Sequence, residues 1–121
     1  MKVLVTGASG LVGQFVVDRL MGIKKITVIA QCRDYPSLKK TSAKIEVLEL
    51  DLINSDAGLK ILSFSPDIIV HCAAQIPTGT IGDEDCARIN RKIDENIFYV
   101  SQRCASKVVF LSSTAVYENC L

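Results

Sequence analysis

The feature that most constrains the fold is a set of three glycines at three-residue intervals, directly after the first apolar run of the chain. That run, Val3 to Val5, is short and rich in β-branched side chains, which is typical of a strand buried on both faces. The glycines are Gly7, Gly10 and Gly13, and a segment with apolar residues at helical spacing begins before the last of them. A strand, a glycine-rich turn and a helix in this order indicate a binding site.

Each glycine has a physical task in such a turn. Gly7 permits a sharp turn out of the strand, Gly10 allows a ligand to approach the backbone, and Gly13 lets the helix pack tightly on its own strand. The unpaired N–H groups and the partial positive charge at the helix start favour a diphosphate. We therefore predict a dinucleotide here, the alternative being a tight turn that binds nothing. The predicted contact residues are Gly7, Ser9, Gly10, Leu11, Val12 and Gly13.

The rest of the chain alternates between β-rich runs and helical segments. Strands are predicted at 2–5, 26–30, 45–50, 67–71 and 108–111. Helices are predicted at 11–21, 56–64 and 83–104, whereas the segment 34–44 has a poor signal and holds at most a brief irregular helix. This alternation predicts an α/β, doubly wound, Rossmann-like parallel sheet of five strands in the order 3-2-1-4-5. Ligands of such sheets bind beyond the carboxyl ends of the strands, at the switch between strands 1 and 4.

Two of the predicted helices have an apolar face at regular spacing. The apolar positions of the first helix are Leu11, Val12, Phe15, Val16 and Leu20. The buried positions expected in the last helix are Ile89, Ile93, Ile97, Val100 and Cys104.

Composition argues against several other classes of protein. The 14 Lys and Arg residues against 13 Asp and Glu leave a net charge of +1 with no basic tract, so a nucleic-acid surface is not expected. The apolar runs are too short to span a bilayer, and the chain enters a strand without a signal segment. The 5 cysteines form no C-x-x-C pair and have no metal-type spacing with His71. We therefore expect one cytoplasmic domain with reduced thiols, no metal site and no membrane partner.

The spacing Thr-Gly-x-x-Gly-x-x-Gly from Thr6 to Gly13 resembles the short-chain dehydrogenase/reductase superfamily. Later residues resemble its extended branch, the NAD-dependent epimerase/dehydratase family. In that family an acidic and an aliphatic residue after strand 3 contact adenine, and the resemblance assigns those roles to Asp51 and Leu52. From the residues alone, Asp51 is equally a helix cap or a turn residue.

The turn after strand 4 resembles the His-x-Ala-Ala segment of the same family. The resemblance implies that the cofactor ribose and diphosphate pass against Cys72, Ala73, Ala74 and Gln75, where small side chains leave room. His71 is interpreted as a packed, hydrogen-bonded structural histidine, since no residue nearby in sequence would orient it as a catalytic base.

Two further positions resemble catalytic ones. Asn90 aligns with the asparagine of the family's Asn-Val-x-Gly-Thr segment, although residues 91–94 depart from it. The resemblance gives Asn90 a role at the active site and cofactor, the alternative being a polar residue on a solvated helix face. Segment 112–118 resembles Ser-Ser-x-x-Val-Tyr-Gly, so Ser113 would hydrogen-bond the reacting group of the substrate. Glu118 stands where the family has glycine.

The end of strand 2 bears on the choice of cofactor. A carboxylate there favours the free 2′-hydroxyl of NAD, but this chain has Arg33, whose planar fork suits the 2′-phosphate of NADP. NADP is therefore favoured over NAD. Two alternatives stay open: Asp34 serves a 2′-hydroxyl if the strand is longer, or Arg33 is a solvated loop charge.

The family's general base is a Tyr-x-x-x-Lys pair on a helix after the serine segment, and this chain ends at Leu121 before such a helix. The spacing recurs from Tyr35 to Lys39, on the adenosine side of the sheet, which we interpret as a chance match. We expect residues 1–121 to be an incomplete NAD(P)-binding Rossmann domain, truncated before the substrate domain.

The resemblance thus implies the cofactor half of an epimerase, dehydratase or reductase acting on a nucleotide-linked sugar or another small molecule. Whether the chain alone is an enzyme stays open. The alternatives are a non-catalytic NAD(P)-binding or redox-sensing module, and a scaffold that binds nothing. An uncovered apolar edge beyond the fifth strand would favour a homodimer.

Overall fold

The computed structural model describes residues 1–34 and 45–112, which form five strands and three helices. The strands are β1 (Lys2–Thr6), β2 (Thr27–Cys32), β3 (Ile45–Glu49), β4 (Ile68–His71) and β5 (Lys107–Phe110). The helices are α1 (Leu11–Met21), α2 (Ala57–Leu62) and α3 (Asp83–Cys104). The brief helix considered within 34–44 lies outside the described residues, except for its first residue.

The five strands form one parallel sheet in the order β3-β2-β1-β4-β5, which confirms the predicted doubly wound topology. The register pairs Val5 of β1 with Ala30 of β2 and Val70 of β4, and it pairs Thr6 with His71. The carboxyl ends of β1 and β4 are therefore level. The turns that follow these two strands meet at the switch point, where such sheets bind ligands.

Successive residues of β1 point to opposite faces of the sheet and enter two separate cores. Leu4 packs with Ile29 and Ile69 under α2 and α3, and all three side chains are fully buried. Val3 and Val5 face the other way and pack under α1. Full burial of a side chain of this size stabilises the fold by ~1.5–3 kcal/mol, so the central strands hold the site rigidly from beneath.

The orientation of α1 matches the expected apolar face only in part, since Val16 and Leu20 pack against the core. Phe15 is 69% exposed and Leu11 is 77% exposed, whereas Gly13 and Val17 are buried. The reason is the close packing of Gly13 on the backbone of the preceding turn, which sets the rotation of the helix. The apolar periodicity could not predict this orientation, because Gly13, which packs closest to the preceding turn, has no apolar side chain.

Four strand ends differ from the predictions by one or two positions. β1 continues one residue further, to Thr6, and β5 ends one residue earlier, at Phe110. β2 continues to Cys32, beyond the predicted end at residue 30, because Gln31 and Cys32 pair with Leu48 and Glu49 of β3. The polar side chain of Gln31 can be buried there because both of its ends are hydrogen-bonded. β3 ends at Glu49, one position before the predicted end. α3 buries Ile93, Ile97 and Val100 as expected.

The outer strand β5 has exposed apolar side chains. Val109 and Phe110 are each about half exposed, and Leu111 directly after the strand is similarly exposed. This edge of the sheet is apolar in the described part of the chain, as the sequence led us to expect.

Candidate dinucleotide site

The glycine turn is fitted to the turn after β4 through backbone contact. Gly7 has a φ of +62°, a conformation that residues with a Cβ rarely adopt. A Cβ at Gly7 would lie 2.9 Å from the Cα of Ala73, too close for any side chain. At Gly13 a Cβ would collide with the carbonyl oxygen of Gly7 and lie 2.8 Å from the Cα of Ala8. These two glycines therefore set the separation between β1, α1 and the β4 turn.

Gln31 joins the ends of three strands from beneath the turn. Its Oε1 accepts the N–H of Gly7 at 2.9 Å, and its Nε2 donates to the carbonyl of Leu50 at 2.6 Å. The backbone carbonyl of Gln31 accepts the N–H of Ala8 at 2.8 Å. The side chain is 2% exposed, so these bonds form in a site with little water to compete for them. Sequence analysis did not assign Gln31 to the site.

Thr6 holds the opposite wall of the site. Its Oγ1 accepts the N–H groups of Cys72 and Ala73, both at 3.1 Å, and it lies 2.7 Å from Nδ1 of His71. On the other side of the ring, Nε2 of His71 lies 3.0 Å from Oδ1 of Asp94 on α3. His71 is thus a packed, hydrogen-bonded histidine, as interpreted from the sequence. Its partners Thr6 and Asp94 were missed because both are distant in sequence.

The environment of His71 favours the neutral ring. Burial lowers the pKa of His71 below its usual 6.5, and the hydrogen bond and charge of Asp94 act in the opposite direction without overcoming it. The ring of Phe110 lies against it, with a centroid separation of 5.4 Å. A buried neutral imidazole held on both nitrogens is suited to fixing neighbouring groups.

Asn90 fastens the far end of the β4 turn to α3. Its Oδ1 accepts the N–H of Gln75 at 2.7 Å, and its Nδ2 donates to the carbonyl of the same residue at 2.9 Å. The side chain is therefore committed to the backbone of the turn, which explains why an asparagine is tolerated within a helix.

Between the glycine turn and the β4 turn lies a cleft of about 340 Å³. Of the residues predicted to bind the cofactor, the structure brings the following together along its walls: Gly7, Ser9, Gly10, Arg33, Asp51, Leu52, Cys72, Ala73, Ala74 and Gln75. Gly13 and Asn90 stand behind these walls and support them. Leu11 and Val12 are exposed at the start of α1 and do not line the cleft. Ser113, the predicted catalytic serine, lies outside the described residues.

The side of the cleft predicted to receive adenine has a well-defined turn. Oδ1 of Asp51 accepts the N–H of Ile53 at 3.2 Å, so this carboxylate has the turn role that the residues alone allowed. Leu52 is almost fully buried, and its carbonyl accepts a bond of 2.7 Å from Nδ2 of Asn96. Both residues line the cleft.

The end of β2 contributes one cation and a thiol to the described lining of the cleft. Arg33 is exposed and Cys32 is buried. Burial raises the pKa of the Cys32 thiol, and the charges of Glu49 and Asp34 raise it further. Two carboxylates, those of Glu49 and Asp34, therefore lie near this thiol at the end of β2.

Other ligand classes find little support in the ranges 1–34 and 45–112. No group of three or more His, Cys, Asp or Glu side chains there is arranged to hold a metal ion. Within the same ranges no helix combines the length and apolarity needed to cross a membrane. The four cysteines described, Cys32, Cys72, Cys86 and Cys104, are free thiols.

The family described as "NAD dependent epimerase/dehydratase family" matches residues 3–121. The chain is 33% identical over 81 residues to a UDP-glucose 4-epimerase from Mycolicibacterium smegmatis, covering 63% of this chain and 26% of that protein. It is 26% identical over 122 residues to a decarboxylating sterol-4-alpha-carboxylate 3-dehydrogenase from Dictyostelium discoideum, covering 98% of this chain and 37% of that protein. It therefore spans well under half the length of these relatives.

Solved structures share the fold at low identity. An ADP-L-glycero-D-manno-heptose-6-epimerase from Helicobacter pylori superimposes with a TM-score of 0.84 at 23% identity, covering 98% of this chain and 41% of that one. A yeast methylglyoxal/isovaleraldehyde reductase complexed with NADPH superimposes with a TM-score of 0.80 at 23% identity, covering 95% of this chain and 38% of that one. At this identity the likeness shows the fold alone.

Proposed function

The chain belongs to the NAD dependent epimerase/dehydratase family, and from that premise we propose that its cleft binds a nicotinamide dinucleotide. We further propose that residues 1–121 are the cofactor-binding part of an epimerase, dehydratase or reductase. The substrate class we propose is a nucleotide-linked sugar or a similar small molecule, which the names of the two sugar epimerases described above support.

One observation carries the proposal: the glycine turn, the amino end of α1 and the β4 turn open on the same cleft. Gly10 is the N-cap of α1 and has no side chain with which to cap it. Among the described residues, a Cβ at Gly10 would meet one atom within 4 Å, the Gly7 carbonyl oxygen at 3.2 Å. The remaining space at Gly10 is open, which suits a diphosphate against the helix N–H groups.

We propose for the cleft residues the cofactor-binding roles that the family resemblance implies. The glycine turn would bind the diphosphate, Asp51 and Leu52 the adenine, and the turn at Cys72 to Gln75 the ribose. A bound nicotinamide dinucleotide would supply hydride transfer. Ser113 is proposed to hydrogen-bond the reacting group of the substrate, and Asn90 to keep the β4 turn in place through its two bonds to Gln75.

NADP is proposed as the preferred cofactor because Arg33 is an exposed cation on the cleft. A guanidinium and a phosphate form charge-assisted, bidentate hydrogen bonds. The carboxylates of Glu49 and Asp34, which lie near the adjacent Cys32, would repel a phosphate and so reduce the preference. The preference is expressed as the ratio of the affinities for NADP and for NAD. It is measured by titrating the same sample with NADP and with NAD.

We also propose that the protein is cytoplasmic and that it forms a homodimer. Free thiols in the described structure are compatible with a reducing compartment. Val109, Phe110 and Leu111 give the sheet an apolar outer edge that a second copy would cover. Light scattering of the purified protein would detect the dimer by its mass.

Calorimetric titration of the full chain with NADP tests the proposed function. Gly10→Val should abolish measurable binding, because a branched side chain would enter the phosphate path, while circular dichroism shows an unchanged fold. Gly79→Val is the matched control, since a Cβ at Gly79 would meet no described atom within 4 Å and Gly79 does not line the cleft. Equal affinity in the Gly10 variant and the unmodified chain would overturn the assignment.

A further inference from the structure

The hydrogen bonds around His71 assign the positions of its protons. The carboxylate of Asp94 only accepts hydrogen bonds, so Nε2 of His71, at 3.0 Å, is the nitrogen that carries hydrogen. Nδ1 then has a lone pair, and the hydroxyl of Thr6, at 2.7 Å, donates to it. This leaves both lone pairs of the Thr6 oxygen for the N–H groups of Cys72 and Ala73. In this assignment each hydrogen bond from Asp94 through His71 and Thr6 to the β4 turn joins one donor to one acceptor.

We propose that Asp94 is a positioning residue for the dinucleotide cleft, acting through His71 and Thr6 on the backbone of Cys72 and Ala73. The inference rests on the proposed function, because it assigns to Asp94 control over the wall against which the cofactor lies. Sequence analysis had treated residues 91–94 as a departure from the family's pattern and gave Asp94 no role.

The position of Asp94 on α3 supports this role. It stands one helical turn after Asn90, so the two side chains project from the same face of the helix. Asn90 binds the Gln75 end of the turn, and Asp94 acts on the end at Cys72 and Ala73. α3 thus holds both ends of the segment that lines the cleft.

The cleft is sensitive to small movements of this segment. Gly7 and Ala73 pack so closely that no Cβ fits between them. When the bonds from Thr6 are weakened, Ala73 has freedom to shift against Gly7, and the separation of the two walls changes. Cofactor affinity is therefore the property that Asp94 should influence.

Protonation of His71 would disturb the same bonds. A proton on Nδ1 would point at the Thr6 oxygen, whose lone pairs are already used, and the Thr6 hydroxyl would lose its acceptor. Of the groups packed against the ring, Asp94 on α3 carries charge, whereas Thr6 on β1 and Phe110 on β5 do not. Burial raises the pKa of the Cys72 thiol beside it, so this thiol stays neutral.

The first test compares three variants of the full chain. Asp94→Ala should weaken NADP binding by roughly 3- to 10-fold, as expected for the loss of one hydrogen bond to a positioning group. Asp94→Asn retains an oxygen that accepts the Nε2–H and should bind within about 2-fold of the unmodified chain. Glu95→Ala removes an adjacent, largely exposed carboxylate on the same helix and should change nothing.

The second test is the pH profile of NAD binding, because NAD has no 2′-phosphate that titrates near pH ~6. Affinity should fall at acid pH as His71 is protonated. Asp94 raises the pKa of His71, so Asp94→Asn and Asp94→Ala should both move this acid limb to lower pH, while Glu95→Ala leaves it in place. If Asp94 contributed only to packing, its replacement would not change the pH at which the affinity for NAD falls.

The third test reads the ring directly by nitrogen NMR of the unliganded chain, which has a single histidine. The Nε2–H form should predominate, and Asp94→Ala should give a mixture of both neutral forms. An Nδ1–H ring in the unmodified chain, or NADP affinity equal in Asp94→Ala and the unmodified chain, would overturn the inference while the proposed function stands. Failure of the unmodified chain to bind NADP or NAD would overturn both. If Asp94→Ala does not fold, an unmoved acid limb in Asp94→Asn overturns the inference.

Discussion

Replacing Gln31 with leucine should destabilise the fold, although leucine is apolar, similar in size and placed in a buried site. Gln31 is 2% exposed and bonds the N–H of Gly7 at 2.9 Å and the carbonyl of Leu50 at 2.6 Å. Leucine would leave both backbone groups without a partner, far from water. A buried polar group without a partner costs ~1–3 kcal/mol, so the two together cost ~2–6 kcal/mol.

A gain in apolar burial offsets part of this cost. Placing leucine where a polar amide stood contributes at most ~1–2 kcal/mol, since its surface is already enclosed by the strands around it. The expected net loss in the free energy of unfolding is therefore ~0–5 kcal/mol, with a midpoint of ~2–3 kcal/mol, against the ~5–15 kcal/mol typical of a domain.

Urea denaturation followed by circular dichroism measures this change. Gln102→Leu is the matched control, because Gln102 is exposed on α3 and its replacement should change the free energy of unfolding by less than ~0.5 kcal/mol. Hydrogen exchange at the Gly7 amide should also accelerate in the Gln31 variant, since that amide loses its acceptor. Equal unfolding free energies for the two variants would refute the reasoning that Gln31 joins the strand ends.

Three further predictions concern the turn, the cofactor and pH. Gly13→Ala should lower the free energy of unfolding by ~1–3 kcal/mol or more in urea denaturation, because the added Cβ collides with the carbonyl of Gly7; an unchanged midpoint would contradict this packing. Arg33→Ala should weaken NADP binding by ~1–3 kcal/mol in calorimetry and NAD binding much less, and an equal effect on both would contradict a 2′-phosphate contact. Because burial lowers the pKa of His71 below 6.5, its unfolded form takes up protons first, so stability is full above pH 6.5 and falls as pH drops toward the folded pKa. Denaturation between pH 5 and pH 8 checks this, and His71→Gln should remove that part of the slope.

The sheet order could be predicted from sequence because its signals are local. The apolar run before Gly7 and the alternation of β-rich and helical segments depend on neighbouring residues, and the rules for parallel sheets then leave few arrangements. The carboxyl ends of the strands follow from that order. Ten of the residues predicted to bind the cofactor therefore line one cleft, although no pairwise contact between them could be predicted from the sequence.

The face of α1 and the polar network could not be predicted in the same way. Phe15 has the apolar character of a core residue, yet close packing at Gly13 turns it outward. Contacts over long sequence separations decide the network, since Thr6 meets His71 from 65 residues away and His71 meets Asp94 from 23. One signal was available: Asp94 falls one helical turn after Asn90.

Amide NMR of the isotopically labelled chain during titration with NADP tests the central claim most directly, because it maps binding residue by residue. The account predicts saturable shifts concentrated in the segments 7–10, 31–33, 51–53 and 72–75, which contribute residues to the lining of the cleft. Absence of saturable shifts would contradict it, as would shifts concentrated at Phe98 and Gln102, which line a separate cavity along α3.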